Sequence, residues 1–391
     1  MTGNLASQFL IREDVTFLNH GSYGACPRPV FADYQQIQLE LESQPVAFLG
    51  RERAARMTVA REALSAELGT ASTNIAAVIN ATSGLNVVAQ SLDLREGDEI
   101  LTCDHEYAAL DKTWAYVARR SGAKVVFVTI PLPLVDEGAF YDAMVAGMTS
   151  RTRVLFLSHI TSPTALLFPI ERLVAEARRR GIITIIDGAH APGHVPLDLD
   201  ALGADFYSGN CHKWLMAPKG SAFLYARPEM QSLLNPLVIS HGWTLDAKEP
   251  GVSGPLGSTP FIDGVEFYGT RDPSAWLAVP SALAFRRQHD WTSVMADCAD
   301  LAWETATRMA RLTGLPPLSS REFTAPQMVA MPVPPIADTV AFHDELLERY
   351  GIEIPVLHWG GRSIVRVSIQ GYNTSAQADL LVRALSEQFG L

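Results

Sequence analysis

The sequence predicts an α/β protein, with a larger domain on a mainly parallel central sheet and a smaller C-terminal α/β domain. Three observations carry that expectation. Through the middle of the chain, short apolar runs alternate with longer amphipathic ones, the pattern of strand–helix units over a parallel sheet. Several short runs, such as VLFLS at 154–158 and IITIID at 182–187, are apolar at nearly every position, as strands covered on both faces must be. The 391 residues also exceed what one hydrophobic core usually spans.

Taken in order, the strands are expected at 76–79, 99–103, 124–130, 153–158, 182–187, 204–208 and 222–225. Helix-compatible stretches fall between them at 84–92, 108–121, 138–148 and 170–181. The last ends in Arg178-Arg179-Arg180-Gly181, a basic final turn closed by glycine. Residues 228–268 are rich in Gly, Pro and Ser, and 249–264 reads EPGVSGPLGSTPFIDG, a long ordered loop or crossover of the kind that is often functional. With Trp243, this loop is placed to shape a pocket. A helix at 274–289 then bridges to the C-terminal part. There a helix (291–312), a strand (327–331), a helix (338–350), a strand pair (352–356 with 363–368) and a final helix (376–389) are expected.

Composition narrows the partners. The chain is 48% hydrophobic and 19% charged, with 31 Lys+Arg against 42 Asp+Glu and a net charge of −11. Without a long run of Lys or Arg, neither nucleic acid nor an anionic membrane is expected as the main partner; a small anionic ligand needs only a local site. Cys26, Cys103, Cys211 and Cys298 are widely separated, which is neither a metal-site spacing nor a disulfide framework and fits a reducing compartment. The N-terminal MTGNLASQFLIRED has no basic stretch followed by an apolar core, and no run approaches 18 apolar residues. A cytoplasmic protein without a bound metal is the expectation.

Three segments carry chemistry. In YSGNCHKWLMAPKGSAFLY (207–225), Lys213 follows a strand among small and polar residues, at the sheet edge where ligands bind in open α/β folds. Such a lysine can form a Schiff base with an aldehyde cofactor if its amine is partly neutral, although most lysines are merely solvated. In GIITIIDGAHAPG (181–193), an apolar run ends abruptly at Asp187. A carboxylate there can pair with a pyridinium nitrogen or simply cap the next turn, and His190 can hydrogen-bond a phenolic oxygen or a neighbouring group. In VINATSGLNVVAQ (78–90), a strand runs through Asn80-Ala81-Thr82-Ser83-Gly84 into a helix. Backbone N–H groups and two hydroxyls at a helix start suit a phosphate, or plain capping. No nucleotide phosphate loop of the GxxxxGK[ST] or GxGxxG type competes.

The order phosphate cup, strand-end acid, lysine resembles the class V aminotransferases among the fold-type I pyridoxal 5′-phosphate (PLP) enzymes. The likeness is closest to the isopenicillin N epimerase-like branch, which includes cysteine-desulfhydrase-like proteins. It rests on LNHGSYGACP (18–27), NATSGLN (80–86), DGAHAPG (187–193), GNCHKWLMAPKGSAFLY (209–225) and RVSIQGYNT (366–374). The resemblance implies a PLP-binding large domain at 21–270, a small domain at 271–391, and an N-terminal segment (1–20) joining the small domain or the substrate pocket. It implies Lys213 as the cofactor lysine, Asp187 as the pyridinium partner, and Thr82, Ser83, Asn210 and His212 as phosphate ligands. Gly269-Thr270 in FYGTRDP is similar to the pair that a neighbouring subunit supplies, which implies a homodimer. Arg366 resembles the arginine that clamps the substrate α-carboxylate, a task suited to a bidentate guanidinium; from the residue alone, a surface salt bridge is the simpler reading. A ring that stacks on the cofactor is implied in CDHEYAAL (103–110), from His105 or, preferably, Tyr107, either of which is also a candidate catalytic group. Asn19 and His20 are expected near the substrate.

One departure is informative. The cysteine desulfurases of this class carry a nucleophilic cysteine ahead of the carboxylate arginine. This chain has no cysteine after Cys298, and the expected loop at 356–363 reads VLHWGGRS, so a persulfide-forming desulfurase is not expected. The resemblance points to epimerisation or racemisation of an amino-acid centre. C–S β-elimination and transamination are the enzymatic alternatives, and a regulator or scaffold without turnover is the alternative outside catalysis.

Overall fold

A computed structural model describes residues 5–245 and 252–391. After a short strand β1 (Thr16–Phe17), seven strands build the central sheet: β2 (Ile75–Val78), β3 (Glu99–Cys103), β4 (Lys124–Val128), β5 (Thr152–Ser158), β6 (Ile183–Asp187), β7 (Phe206–Asn210) and β8 (Ala222–Ala226). Their spatial order is β2-β8-β7-β6-β5-β3-β4. The five strands from β7 to β4 run parallel, whereas β8 is antiparallel to both of its neighbours. The parallel expectation therefore holds for most of the sheet, and all seven apolar runs are strands. The reversal of β8 is invisible in composition, because β8 is as fully buried as β7 beside it.

The edges show why these residues suit their places. On β4 the pattern is half exposed, with Lys124 and Phe127 outward, and a lysine on an edge discourages further pairing. At the other edge, the Ala77 N–H of β2 donates to Glu266 at 2.9 Å, so an otherwise open ladder group is satisfied within the chain.

The C-terminal part contains β9 (Met328–Val333), β10 (Ile352–Glu353), β11 (Val356–Trp359) and β12 (Arg362–Ser368). Here the expected strand pair is corrected. The run at 352–356 divides at Pro355, which has no N–H for a ladder. Its first part, β10, pairs in parallel with β1 from the N-terminal segment. Its second part, β11, folds back on β12, which also pairs with β9. Residues 356–363 are thus a hairpin rather than a loop. Gly360 and Gly361 turn it with φ of 54° and 73°, the positive values of a tight primed turn that glycine adopts without a Cβ clash.

Other differences are local. The bridging helix breaks into Ser274–Leu277 and Val279–Gln288 beside Pro280, which cannot donate an N–H. Within the Gly/Pro-rich stretch, Pro260–Glu266 is helical, capped by Thr259 through a bond from the Ile262 N–H of 3.2 Å; residues 249–251 lie outside the described residues. Two helices that periodicity alone passes over, Arg28–Ser43 and Arg53–Glu67, pack against the broken helix. A continuous buried cluster, including Leu157, Trp214, Met328 and Val367, joins the central sheet to the C-terminal one. Among the described residues, no helix is long and apolar enough to cross a membrane.

Candidate active site

The carboxyl ends of β5, β6 and β7 open onto a cavity of about 530 Å³. Asp187, His190, Asn210, His212, Lys213 and Arg366 meet on its wall, together with Thr82 and Tyr107. Residues from five regions of the sequence are thus gathered where an open α/β sheet binds its ligand.

Lys213 lies just beyond β7. Its Nζ is 3.1 Å from His190 Nε2. Burial and the nearby Arg366 charge push its ammonium well below the ordinary lysine range, against the opposing pull of Asp187. Its peptide carbonyl accepts from the Met216 N–H at 3.0 Å and lies 3.1 Å from His20 Nε2. The N-terminal loop presses closely on this turn: at Gly24, with φ of 70°, a Cβ would sit 2.0 Å from the His212 carbonyl oxygen. Only glycine fits there.

Asp187 ends β6 and is 4% exposed. One oxygen accepts from the Ala189 N–H at 2.8 Å, so it caps a turn as well as facing the cavity. Burial drives its carboxyl upward, and the Ala189 N–H and Lys213 hold it down in part.

Arg366, on β12, is 4% exposed, which excludes the surface salt bridge. Nη1 donates to the Ser162 carbonyl and, at 3.2 Å, to its hydroxyl; Nη2 donates to the Ser22 hydroxyl at 3.1 Å. Nε is buried without a partner. All the bound acceptors are neutral, so the site holds a desolvated cation without a paired carboxylate among the described residues, and burial pushes it down to about 10.

At the helix Ala81–Ser91, Asn80 accepts from the Ser83 N–H at 2.8 Å and Asn210 from the Ala81 N–H at 2.9 Å. Thr82 faces the cavity. Ser83 does not: it lines a separate, smaller apolar cavity with Val87 and Tyr268, because each helical step turns the side chain by about 100°. His212 is half-buried on the main wall, with Nδ1 3.4 Å from the Ser221 carbonyl.

The two aromatic candidates separate. Tyr107 is on the wall and 45% exposed. His105 is buried away from it, with Nδ1 2.8 Å from Thr164 Oγ1 and its ring 4.2 Å from that of Trp359. Asn19 and His20 lie just off the wall, next to Gly21, Ser22 and Tyr23, which line it. Asn19 donates to Glu353 at 3.0 Å, and His20 sits behind Lys213, with Nδ1 3.0 Å from the Tyr372 hydroxyl. The LNHGSYG and QGYNT motifs therefore meet at the back of the lysine. Thr270 is exposed and is not on this cavity's wall.

Several neighbours carry no signal in the sequence. Ser22 and Ser162 reach Arg366 only through tertiary folding. Ser158, at the end of β5 on the wall, donates through N and Oγ to Glu106 at 3.1 and 2.6 Å. Burial pushes the Glu106 carboxyl up to about 8. Only the interruption of apolar character after β3 hints at it.

The class-V aminotransferase profile matches residues 25–381. The chain belongs to this family. Isopenicillin N epimerase of Amycolatopsis lactamdurans is 38% identical to it over 98% of both chains, and that of Streptomyces clavuligerus is 36% identical over 98% of this chain and 97% of its own. A probable chloroplastic L-cysteine desulfhydrase of Arabidopsis thaliana is 29% identical over 92% of this chain and 80% of its own. Among solved structures, the cysteine desulfurase CsdA of Escherichia coli superposes with a TM-score of 0.81 at 23% identity, covering 98% of this chain and 97% of that one.

This class-V aminotransferase-family protein has the fold-type I architecture that the resemblance implies, and the family's cofactor is PLP. The residues present fit that group. One cavity offers an amine for its aldehyde, a buried carboxylate for a pyridinium nitrogen, and a helix start with Thr82, Asn210 and His212 for a phosphate.

Proposed function

We propose that this protein is a PLP-dependent epimerase or racemase acting on an amino-acid centre. The observation that carries the reading is Arg366: a buried cation with an unfilled donor and neutral partners, sharing a cavity with Lys213. Desolvated charge is costly unless it is matched, so this site is built for an anion, and an α-carboxylate suits its fork.

Bound here, PLP supplies an electron sink that makes the Cα–H of an amino acid acidic. In this reading Lys213 holds the cofactor and then, with its ammonium pushed down by burial and by Arg366, moves the Cα proton through Nζ. Asp187 holds the pyridinium nitrogen. Thr82, Asn210 and His212 hold the phosphate, and Thr270 of a second copy completes the cup in a homodimer. His190 donates to an oxygen or nitrogen beside Lys213. Epimerisation needs a second proton carrier, and in this reading it is Tyr107, which lines the cavity, whereas His105 is buried against Trp359. The epimerases at 36% and 38% identity support epimerisation as the reaction. C–S elimination is the second reading, favoured by the desulfhydrase relative at 29%.

The test is incubation of PLP-loaded protein with L-amino acids and short peptides in heavy water. Cα deuteration with growth of the opposite isomer supports the proposal. Sulfide and pyruvate from cysteine favour the lyase, and a keto acid with the pyridoxamine form favours transamination. A protein that takes up no PLP and gains no near-visible absorption overturns the enzymatic reading in favour of a scaffold. Lys213→Ala is expected to lose the absorption band and all turnover.

A further inference from the structure

Beside Lys213, His190 and His194 sit in a chain of hydrogen bonds that gives each ring proton a place. We infer that Trp214 is a positioning residue that fixes the tautomer of His190, so that a ring N–H rather than a lone pair faces the Lys213 amine. The inference rests on the proposed role of Lys213.

An indole N–H can only donate. That of Trp214 points to His190 Nδ1 at 3.4 Å, so Nδ1 must be the lone-pair nitrogen and the single ring proton must reside on Nε2. Nε2 is the atom 3.1 Å from Lys213 Nζ. Placing the proton on Nδ1 instead would set two N–H groups against each other in a buried site and leave the indole unsatisfied. An imidazolium is disfavoured as well. Burial lowers the His190 pKa well below the usual value, and the charges of Lys213 and Arg366 add to the effect.

Trp214 has little freedom to abandon this contact. It is fully buried and stacked on His194, with ring centroids 3.9 Å apart at 22°, while His20 lies 4.9 Å from its ring. His194 is itself pinned. Its Nε2 accepts from the Gln327 N–H at 2.9 Å, which leaves Nδ1–H to donate to the His190 carbonyl at 3.1 Å. One backbone N–H at the start of the C-terminal sheet therefore sets His194, His194 seats Trp214, and Trp214 sets His190.

The consequence is chemical. A His190 Nε2 that already carries a proton cannot take one from a Lys213 ammonium. It can only donate, stabilising a free amine or an oxyanion at that point. The tautomer thus favours the neutral, nucleophilic form of Lys213.

The test uses the full-length protein labelled with ¹⁵N-histidine, first without PLP. Long-range ¹H–¹⁵N correlation reads each ring nitrogen directly, with His190 assigned by its loss in His190→Gln. The wild type is expected to show a protonated Nε2 and a bare Nδ1 at His190. Trp214→Phe keeps a ring on His194 but removes the donor, and is expected to give mixed or reversed protonation. A bare Nε2 in the wild type overturns the inference without need of a variant, as does a Trp214→Phe protein whose His190 is unchanged. After loading with PLP, the near-visible band of Trp214→Phe is expected to titrate at a different pH from the wild type; an identical titration overturns the link to Lys213. Failure of both proteins to take up PLP, with the tautomer as stated, counts instead against the proposed function.

Discussion

Replacing Arg366 by Gln removes the cation on which the proposed substrate site depends. The guanidinium presently donates to three neutral oxygens, from Ser162 and Ser22, and keeps Nε unfilled. A substrate carboxylate would be its first anionic partner. Truncating one member of a buried, hydrogen-bonded charge pair costs about 3–4 kcal/mol. At about 1.4 kcal/mol per tenfold, that is a fall in kcat/KM of roughly 140- to 700-fold. Arg366→Lys keeps the charge but loses the fork, and is expected to fall between the two. The assay is Cα proton exchange in heavy water, followed by NMR, for an L-amino acid and for its α-amide. Wild-type protein should discriminate strongly against the amide, and the Gln variant should not. Because the Arg366 charge helps hold the Lys213 ammonium down, its loss should raise the pKa of that amine. Loss of less than fivefold, or a wild type that accepts the amide as readily as the acid, would refute the reasoning.

Three further outcomes are expected. Tyr107→Phe should still exchange the Cα proton of the L-isomer but form the D-isomer about 10²-fold more slowly, a typical loss for one acid–base group; unchanged D-isomer formation in chiral chromatography would remove Tyr107 from the mechanism. Glu266→Ala should lower stability by about 3–5 kcal/mol. It strands the buried Arg61, which meets both carboxylate oxygens at 2.9 Å, and it leaves the Ala77 N–H unpaired; a shift below 1 kcal/mol in urea unfolding, judged against about 1 kcal/mol for ordinary substitutions, would count against this. Burial lowers His194 to about 3, so between that pH and the unfolded value near 6.5 the unfolded chain binds the extra proton and stability falls with acidification. His194→Asn should make that slope shallower by about 1.4 kcal/mol per pH unit; equal slopes in denaturant unfolding at pH 6 and 4.5 would show that His194 protonates freely in the fold.

Much of this architecture was legible because burial on both faces imposes a simple signature. Strands such as β5 and β6 cannot tolerate polar side chains along their length, so their apolar runs and their abrupt ends stand out. Asp187 was visible as the residue that broke such a run, and Lys213 as a lysine in an unusual setting of small residues. Arg366 was recognisable only through resemblance, since a lone arginine on a strand reads as a surface residue. The hairpin at 356–363 is not distinguishable from a loop in the sequence, because a Gly-Gly turn and a flexible loop have the same composition.

What the sequence by itself determined is the set of local choices: where the chain is apolar enough to be a covered strand, where a helix can start, and which residues have the chemistry for PLP. Those depend on neighbours a few positions away. What only the tertiary structure decided depends on partners hundreds of residues apart. The direction of β8, the pairing of β1 with β10, the withdrawal of His105 and His20 from the cavity, and the emergence of Tyr107 on its wall are of this kind. So is the unmatched charge of Arg366, because whether a buried cation has a partner is a property of the space around it and not of the residues beside it in the chain.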